Sequence, residues 1–476
     1  MCFRIRTEFF VFIGLILFTI TGCPRKAPPP PPSVNESKPV RLLVLDDPPL
    51  AEEIERVWRS RSEAVLEVRQ ARLDETLEQS RLNADAVVYP SALLGELLAR
   101  DWLLPFSKEM QENSDLNQAD VLDLLRLQEI RWGEATYAAS FGSPVVLLAY
   151  RADVFKAAGV APPASWDEYH QTAIKLAQSE HDKSSADSEK QPWSGTVEPW
   201  ASGWAGQTLL VRAAAYARHH DQYSDVFDIT SMEPLIGGPP FVRALEEMAA
   251  VAPSASPKSL NRTPLDAYRD VVEGRAAMAL CWPSATVSFQ PREGVEVRWS
   301  RIPASREVYH QSARRWEQRE SDEETHIPLL ATSGRLGSIT RETSRSQAAL
   351  HVLAVLSGSW GQDLAPASAA TTLYRQSQLT SPGKWMPKSA DADSAESYAE
   401  AIEQSLTQGV GMFSPRIPGR ARYLAVLDEA VRRALQGEVS PAESLAQAAE
   451  QWRKTTGEIG LDQQRDAYQR SLGLEP

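Results

Sequence analysis

The chain reads as an α/β protein built on a parallel sheet, and three observations point there. Short runs rich in Val and Leu recur at residues 41–45, 64–69 and 84–89. Each is followed by a helical stretch of about ten residues, the alternation expected of βαβ units. Composition is that of an ordinary globular chain, with 42% apolar and 24% charged residues.

The first run, Arg41-Leu-Leu-Val-Leu45, ends in Asp46-Asp47-Pro48-Pro49, ahead of a helical stretch over 51–61. The second run precedes a helix expected over 74–82, and the third ends at Tyr89, where Pro90-Ser91 opens a helix through Arg100. In open α/β sheets ligands bind beyond the carboxyl ends of the strands. That rule puts Asp46, Asp47, Tyr89, Pro90 and Ser91 at a candidate crevice. The two aspartates serve equally well as helix caps, and Tyr89 as a core residue at the strand end.

Further on, 144–150 is strand-like and 152–158 a two-turn helix stopped by Gly159, which supplies a left-handed residue. Pro162-Pro163 bars continuation, and Ser165-Trp166-Asp167-Glu168 is a capping box for a helix through Gln178. Trp166 and Tyr169 read as packing residues, as do Trp58, Trp132 and Trp452. The polar stretch 179–190 reads as a loop insertion. Helices are expected over 207–218, 241–251, 264–272, 346–357, 398–406, 421–435 and 441–455, and strands over 276–282 and 295–302. Residues 306–324 carry many charges and few apolar positions, which predicts a surface excursion. No repeat of 20–50 residues is visible.

The amino end is distinctive. Arg4 and Arg6 precede an apolar stretch over 9–20, shorter than the roughly 20 residues that span a bilayer. It ends in Ile20-Thr21-Gly22-Cys23, which resembles a bacterial lipobox, so Cys23 would be the lipidated first residue after removal of a signal over 1–22. A plain secretory signal is the other reading. Residues 23–39 include prolines 28–32 in an unbroken run, a stiff tether extending about 3.1 Å per residue. About 440 residues follow, enough for two or three domains.

Net charge is −13, and no clustered Lys and Arg footprint suggests a nucleic-acid partner. Of three cysteines, Cys2 and Cys23 lie in the leader. That leaves Cys281 without an internal partner and reading as a buried small hydrophobe. Among seven histidines only His219-His220-Asp221 is clustered. Adjacent histidines lack the helical spacing of a metal site and sit where a cation suits a helix carboxyl end. No Gly-x-Ser-x-Gly elbow, phosphate-binding Walker loop or His-Glu-x-x-His helix occurs, and no cofactor is implied. A glycosidase carboxylate pair leaves no fixed spacing in a sequence, so a secreted carbohydrate-active hydrolase stays open as an alternative.

Three stretches together resemble the bacterial extracellular solute-binding proteins of family 1, which include the maltose-binding proteins of ABC importers. The first is Tyr150 to Tyr169, with Ala158-Gly159, Pro162-Pro163 and Ser165-Trp166-Asp167-Glu168. The second, Gly274-Arg-Ala-Ala-Met278, resembles the family's Gly-x-x-Ala-Met strand, and the third, 435–452, its closing helix pair. The resemblance covers residues 40–456. It implies a two-lobed periplasmic-binding-protein fold, type II and maltose-binding-like, with a ligand cleft between α/β lobes. The implied lobes are 40–142 plus 295–367 and 143–294 plus 368–456, with 457–476 as a carboxyl-terminal tail. Chain crossings are expected at 142–144, 285–295 and 367–371.

For the cleft, the resemblance adds Glu198 and Trp200, within an acidic-Pro-aromatic segment like the one that contacts sugar in maltose binders. It also adds Trp282, Arg416 and Tyr423, although at 282 the Trp precedes the Pro where the family has Gly-Pro-Trp. The implied function is capture of a small solute by a non-enzymatic, lipid-anchored, extracytoplasmic monomer. Aromatic faces and carboxylates suit a sugar or polyol. The implied partners are an ABC permease and, through the lipid, a bacterial membrane. A receptor presenting ligand to a membrane sensor is the alternative with the same fold.

Overall fold

The computed structural model describes residues 38–178, 193–289, 291–407 and 409–475. Cys23, the signal, the proline run and the insertion at 179–190 lie outside these residues. The described chain from Pro39 onward forms a single contact unit, and no described helix is long and apolar enough to cross a membrane.

Strand β1 (Val40–Leu45) is followed by helix α1 (Pro48–Arg61). Asp47 caps α1 by accepting from the Leu50 amide, and prolines occupy its first turn, where no amide donor is needed. Leu50, Ile54, Val57 and Trp58 recur at helical spacing and form its buried stripe. β2 (Leu66–Ala71) and β3 (Ala86–Pro90) pair with β1 in parallel, as the alternation predicts. The helix expected over 74–82 is cut to Leu73–Leu77, where Arg100 Nη1 takes the Leu77 carbonyl.

β4 (Ala139–Ser140) closes the edge of this first sheet, and β5 (Leu147–Arg151) opens the second. Helix α2 (Ala152–Ala158) stops at Gly159, whose φ is 61°. α3 (Trp166–Ala177) is capped by Ser165, but Glu168 accepts from the Ala164 amide rather than that of the cap residue. α4 (Ala205–Ala217) is largely apolar and every residue in it is buried, including Gln207, Thr208 and Arg212. α5 (Pro239–Val251) covers it, α6 (Pro264–Val272) leads into β6 (Met278–Cys281), and β7 (Val297–Ser300) follows. Cys281 is buried, as expected.

Two expectations are corrected here. Residues 295–302 were assigned to the first lobe, yet β7 pairs with β5, placing it in the second sheet with order β6-β5-β7. The charged stretch 306–324 is not a loose excursion. β8 (Glu307–His310) and β9 (Arg315–Gln318) form an antiparallel hairpin against α4. Charges at alternate positions conceal its inner face. Trp316 meets Tyr309 and Tyr216 with ring centroids 5.4 and 5.9 Å apart. Arg319 is buried and donates to the carbonyls of Ala215 and Arg218 at the end of α4.

β10 (Arg335–Ile339) returns to the first sheet, giving the order β2-β1-β3-β10-β4, with β10 antiparallel to both neighbours. α7 (Ser346–Ser357) packs on β10, β3 and β1. α8 (Ala392–Leu406) packs on β7 and starts six residues before the expected 398, because Asp391 caps it by accepting from the Ser394 amide. α9 (Arg420–Leu435) and α10 (Pro441–Ile459) form the closing pair. The stretch expected as a tail is instead helix α11 (Leu461–Ser471). It is docked by Tyr468 against Phe227 and by Gln464, which donates to the Pro418 carbonyl.

Candidate functional site

The carboxyl ends of β1 and β3 face segments that lead to the second sheet, and a closed circuit of contacts joins them. Asp47 Oδ2 accepts from Arg335 Nε at 2.7 Å and from Ser368 Oγ at 2.5 Å. Arg335 Nη1 donates to the Gly334 carbonyl, which also receives the Ser91 amide. Glu129 Oε1 accepts from Ser143 Oγ at 2.7 Å and from the Ala331 amide at 3.1 Å. Ser91 Oγ and Glu129 Oε2 are buried without a well-aligned hydrogen bond, although the hydroxyl is near enough to act on the carboxyl. Thr332 donates to the Pro144 carbonyl and lines a void of about 10 Å³, together with Val146, Pro199, Trp204, Gln207 and Leu280. The Trp204 ring lies 5.4 Å from that of Trp282, whose Nε1 donates to the Ala369 carbonyl beside Ser368.

Electrostatics here follow from burial. Burial pushes the Glu129 carboxyl up, against the hydrogen bond from Ser143, the nearby Ser91 hydroxyl and the Arg416 charge. Burial also lowers the Arg416 guanidinium to about 10, so it stays charged at neutral pH. Arg420 is likewise lowered to about 10 by burial and reaches the Thr332 carbonyl at 3.1 Å. Gln207 Oε1 and Ser414 Oγ are further buried acceptors without a partner. A site with unpaired donors and acceptors beside two indoles suits a hydroxyl-rich guest. The void itself holds about one water, so a guest of sugar size enters only if the walls part.

Of the ten residues expected in the cleft, Asp47, Ser91 and Trp282 join this circuit, and Arg416 adjoins it by donating to the Glu129 carbonyl oxygen at 2.8 Å. Asp46 is exposed, with φ 51°, and accepts from the Leu73 amide. Pro90 sits opposite Arg335 in the sheet register. Tyr89 is enclosed and its hydroxyl pairs with Ser338 at 2.8 Å. Tyr423 is fully buried, packed edge-on against Phe227 and Trp452, with its hydroxyl on Thr456. Glu198 and Trp200 lie inside the second half. Glu198 pairs with Arg212 at 2.7 Å, both fully buried, and accepts from the Trp200 indole at 3.3 Å. Arg212 packs over Trp166 at 4.3 Å, which explains the burial of Trp166 and Tyr169.

Sequence reasoning missed Glu129, Trp204, Gln207 and Arg335. Trp204 had a signal, since it lies one turn beyond Trp200 and directly before an apolar helix. Glu129 and Arg335 had none, because each is one charge among many until the fold buries it.

Comparison with known proteins gives a sharp contrast between sequence and shape. No known family profile matches the chain, and no curated relative does. Solved structures do match across nearly the whole chain. The sugar-binding protein MalE of Xanthomonas citri is 16% identical, with a TM-score of 0.65, covering 89% of this chain and 99% of its own. A ribitol-bound ABC-transporter solute-binding protein from Agrobacterium radiobacter K84 is 17% identical, TM-score 0.63, covering 88% and 99%. Maltose-bound MalE3 of T. maritima is 16% identical, TM-score 0.63, covering 87% and 100%. These neighbours are ABC-transporter sugar- and polyol-binding proteins, and this chain has the mixed α/β fold of the MalE type.

Proposed function

We propose that the chain is a membrane-tethered, extracytoplasmic solute-binding protein. It captures a small polyhydroxylated solute between its two sheets and delivers it to an ABC importer without altering it. The observation that carries this reading is the contact circuit from Asp47 through Arg335, Ser91 and Glu129 to Trp204 and Trp282. The ribitol and maltose bound in two of the fold neighbours support the solute class. Asp47, Ser91, Trp282 and Arg416 are the proposed contacts from the first expectation, joined by Glu129, Trp204, Gln207 and Arg335. Asp46, Tyr89, Pro90, Glu198, Trp200 and Tyr423 hold the walls around them. Lobes of this kind part and close by hinge motion, and the solute favours the closed form by its differential affinity. The proposed lobes keep their first crossing at 142–144 and their last at 367–371, with the return moved from 295 to beyond β7. Cys23 supplies the lipid anchor and the proline run the spacing.

Thermal-shift screening against polyols, monosaccharides and maltooligosaccharides tests the solute class. A hit should raise the melting temperature in proportion to log concentration, and Trp282→Ala and Trp204→Ala should each abolish its binding. Unchanged affinity in both variants sinks the site, and turnover of a labelled oligosaccharide sinks the transport reading. Cys23→Ser should move the protein from the membrane to the soluble fraction.

A further inference from the structure

A cluster of imidazoles and carboxylates lies where the β8–β9 hairpin meets the carboxyl end of α4. The His219 ring stacks on His220 and on His310, with centroids 4.4 Å away in both cases. Glu317, on the hairpin, reaches two of these rings. Its Oε2 is 3.3 Å from His219 Nε2 and its Oε1 is 3.2 Å from His310 Nδ1. His219 and Glu317 are 98 residues apart in the chain, so the adjacent pair His219-His220 gave no hint of this group.

We propose that His219, His310 and Glu317 form a binding site for a divalent first-row cation, with Zn²⁺ as the probe. Their ligand atoms all lie within 4.8 Å of one another. Two ligands held about 2.0 Å from a tetrahedral zinc stand roughly 3.3 Å apart, and each histidine lies at about that spacing from one of the two Glu317 oxygens, His219 from Oε2 and His310 from Oε1. Two nitrogens and a carboxylate are a donor set that zinc takes, with a fourth position left to solvent. The elements that carry these side chains are anchored, while the near-parallel His219 and His310 rings must swing out of their stack for both lone pairs to meet one ion. The hairpin is pinned by Arg243, which packs over Tyr216 at 4.5 Å and Trp316 at 5.1 Å, while His219 follows a fully buried helix.

Two neighbours shape the chemistry. The Asp221 amide donates to His219 Nδ1 at 3.1 Å, which leaves the ring proton on Nε2, facing Glu317. A cation at Nε2 moves that proton to Nδ1 and turns the Asp221 amide away, with no net loss of a proton from the ring. Arg315 Nε holds Glu317 Oε1 at 2.7 Å and is the cation that zinc displaces.

Calorimetric titration of the purified full chain with Zn²⁺ tests the site. One equivalent should bind, with affinity lowered at least about tenfold by His310→Ala and by Glu317→Gln, and raised by Arg315→Ala. His310 and Glu317 are part-exposed, so both variants should keep the metal-free melting temperature even if His219→Ala does not fold. The proposal is overturned by absence of binding or by equal binding in all variants, which would place the metal elsewhere in the chain. It is also overturned if His220→Ala abolishes binding while His310→Ala leaves it intact.

Discussion

Two buried ion pairs in this molecule have similar chemistry and opposite surroundings. Glu198–Arg212 is confined to the second half, with both side chains inaccessible and the guanidinium sandwiched against Trp166. Asp47–Arg335 joins segments 288 residues apart in the chain, draws in Ser368, and lies on the circuit that reaches the water-sized void. In the first the charges pair within one half, Arg212 with both Glu198 and Glu247, while Arg212 Nε and Nη2 are buried without a hydrogen bond. The second stands where two sheets meet, among acceptors that lack partners. Burial alone therefore does not tell the two apart; what distinguishes Asp47–Arg335 is that its partners come from both sides of the seam.

The comparison can be broken most directly at the core pair. Glu198→Ala leaves the buried Arg212 charge only Glu247, 3.5 Å away, and should cost about 3 kcal/mol, read by chemical denaturation. The double change Glu198→Met with Arg212→Met should recover much of that loss. If Glu198→Ala were instead nearly neutral for stability and removed solute binding, the two regions would have exchanged roles. At the seam, Arg335→Met should cost less, about 2 kcal/mol, because Asp47 keeps Ser368 and the Leu50 amide. Its larger effect should fall on solute affinity, measured by titration with the screening hit.

The smallest effect sharpens the contrast by using a pair at the sheet margin. Burial pushes the Asp85 carboxyl up, but hydrogen bonds from the Arg41 guanidinium and amide and from Thr343 outweigh it, leaving it below its ordinary value. A carboxyl lowered on folding stabilises the protein above its unfolded pKa, near 3.9, and loses that contribution as pH falls through the folded value. Asp85→Asn should therefore cost about 1 kcal/mol at neutral pH, since Arg41 is partly exposed. That gap should shrink below about pH 4 in urea melts of the two proteins. A constant gap down to pH 3 would remove the ionic part of the argument.

Much of the fold was legible because its signals are local. The bounds of α2, α6 and α7 are those read from capping residues, Gly159 and helical periodicity, and the parallel pairing of β1 with β2 and β3 follows from strand–helix alternation. The hairpin was not legible, because Arg315, Glu317 and Arg319 mask the two aromatics that pack inward. Of the proposed contacts, Asp47 and Ser91 come from the strand-end rule, and Trp282 and Arg416 from the resemblance. Glu198, Trp200 and Tyr423 look the same in sequence as contacts do, and only their enclosure tells them apart.

The sequence by itself determined the first three strands, several helix bounds and the α/β class, because each depends on residues a few positions apart, and it supplied the expectation of a lipid-anchored leader. Tertiary structure alone decided that β7 joins the second sheet, that Glu129 and Arg335 meet Asp47 and Ser91 at a seam, and that His310 and Glu317 reach His219. Those outcomes depend on pairing across tens to hundreds of residues, where every charge looks alike until burial strips its water and fixes its partner.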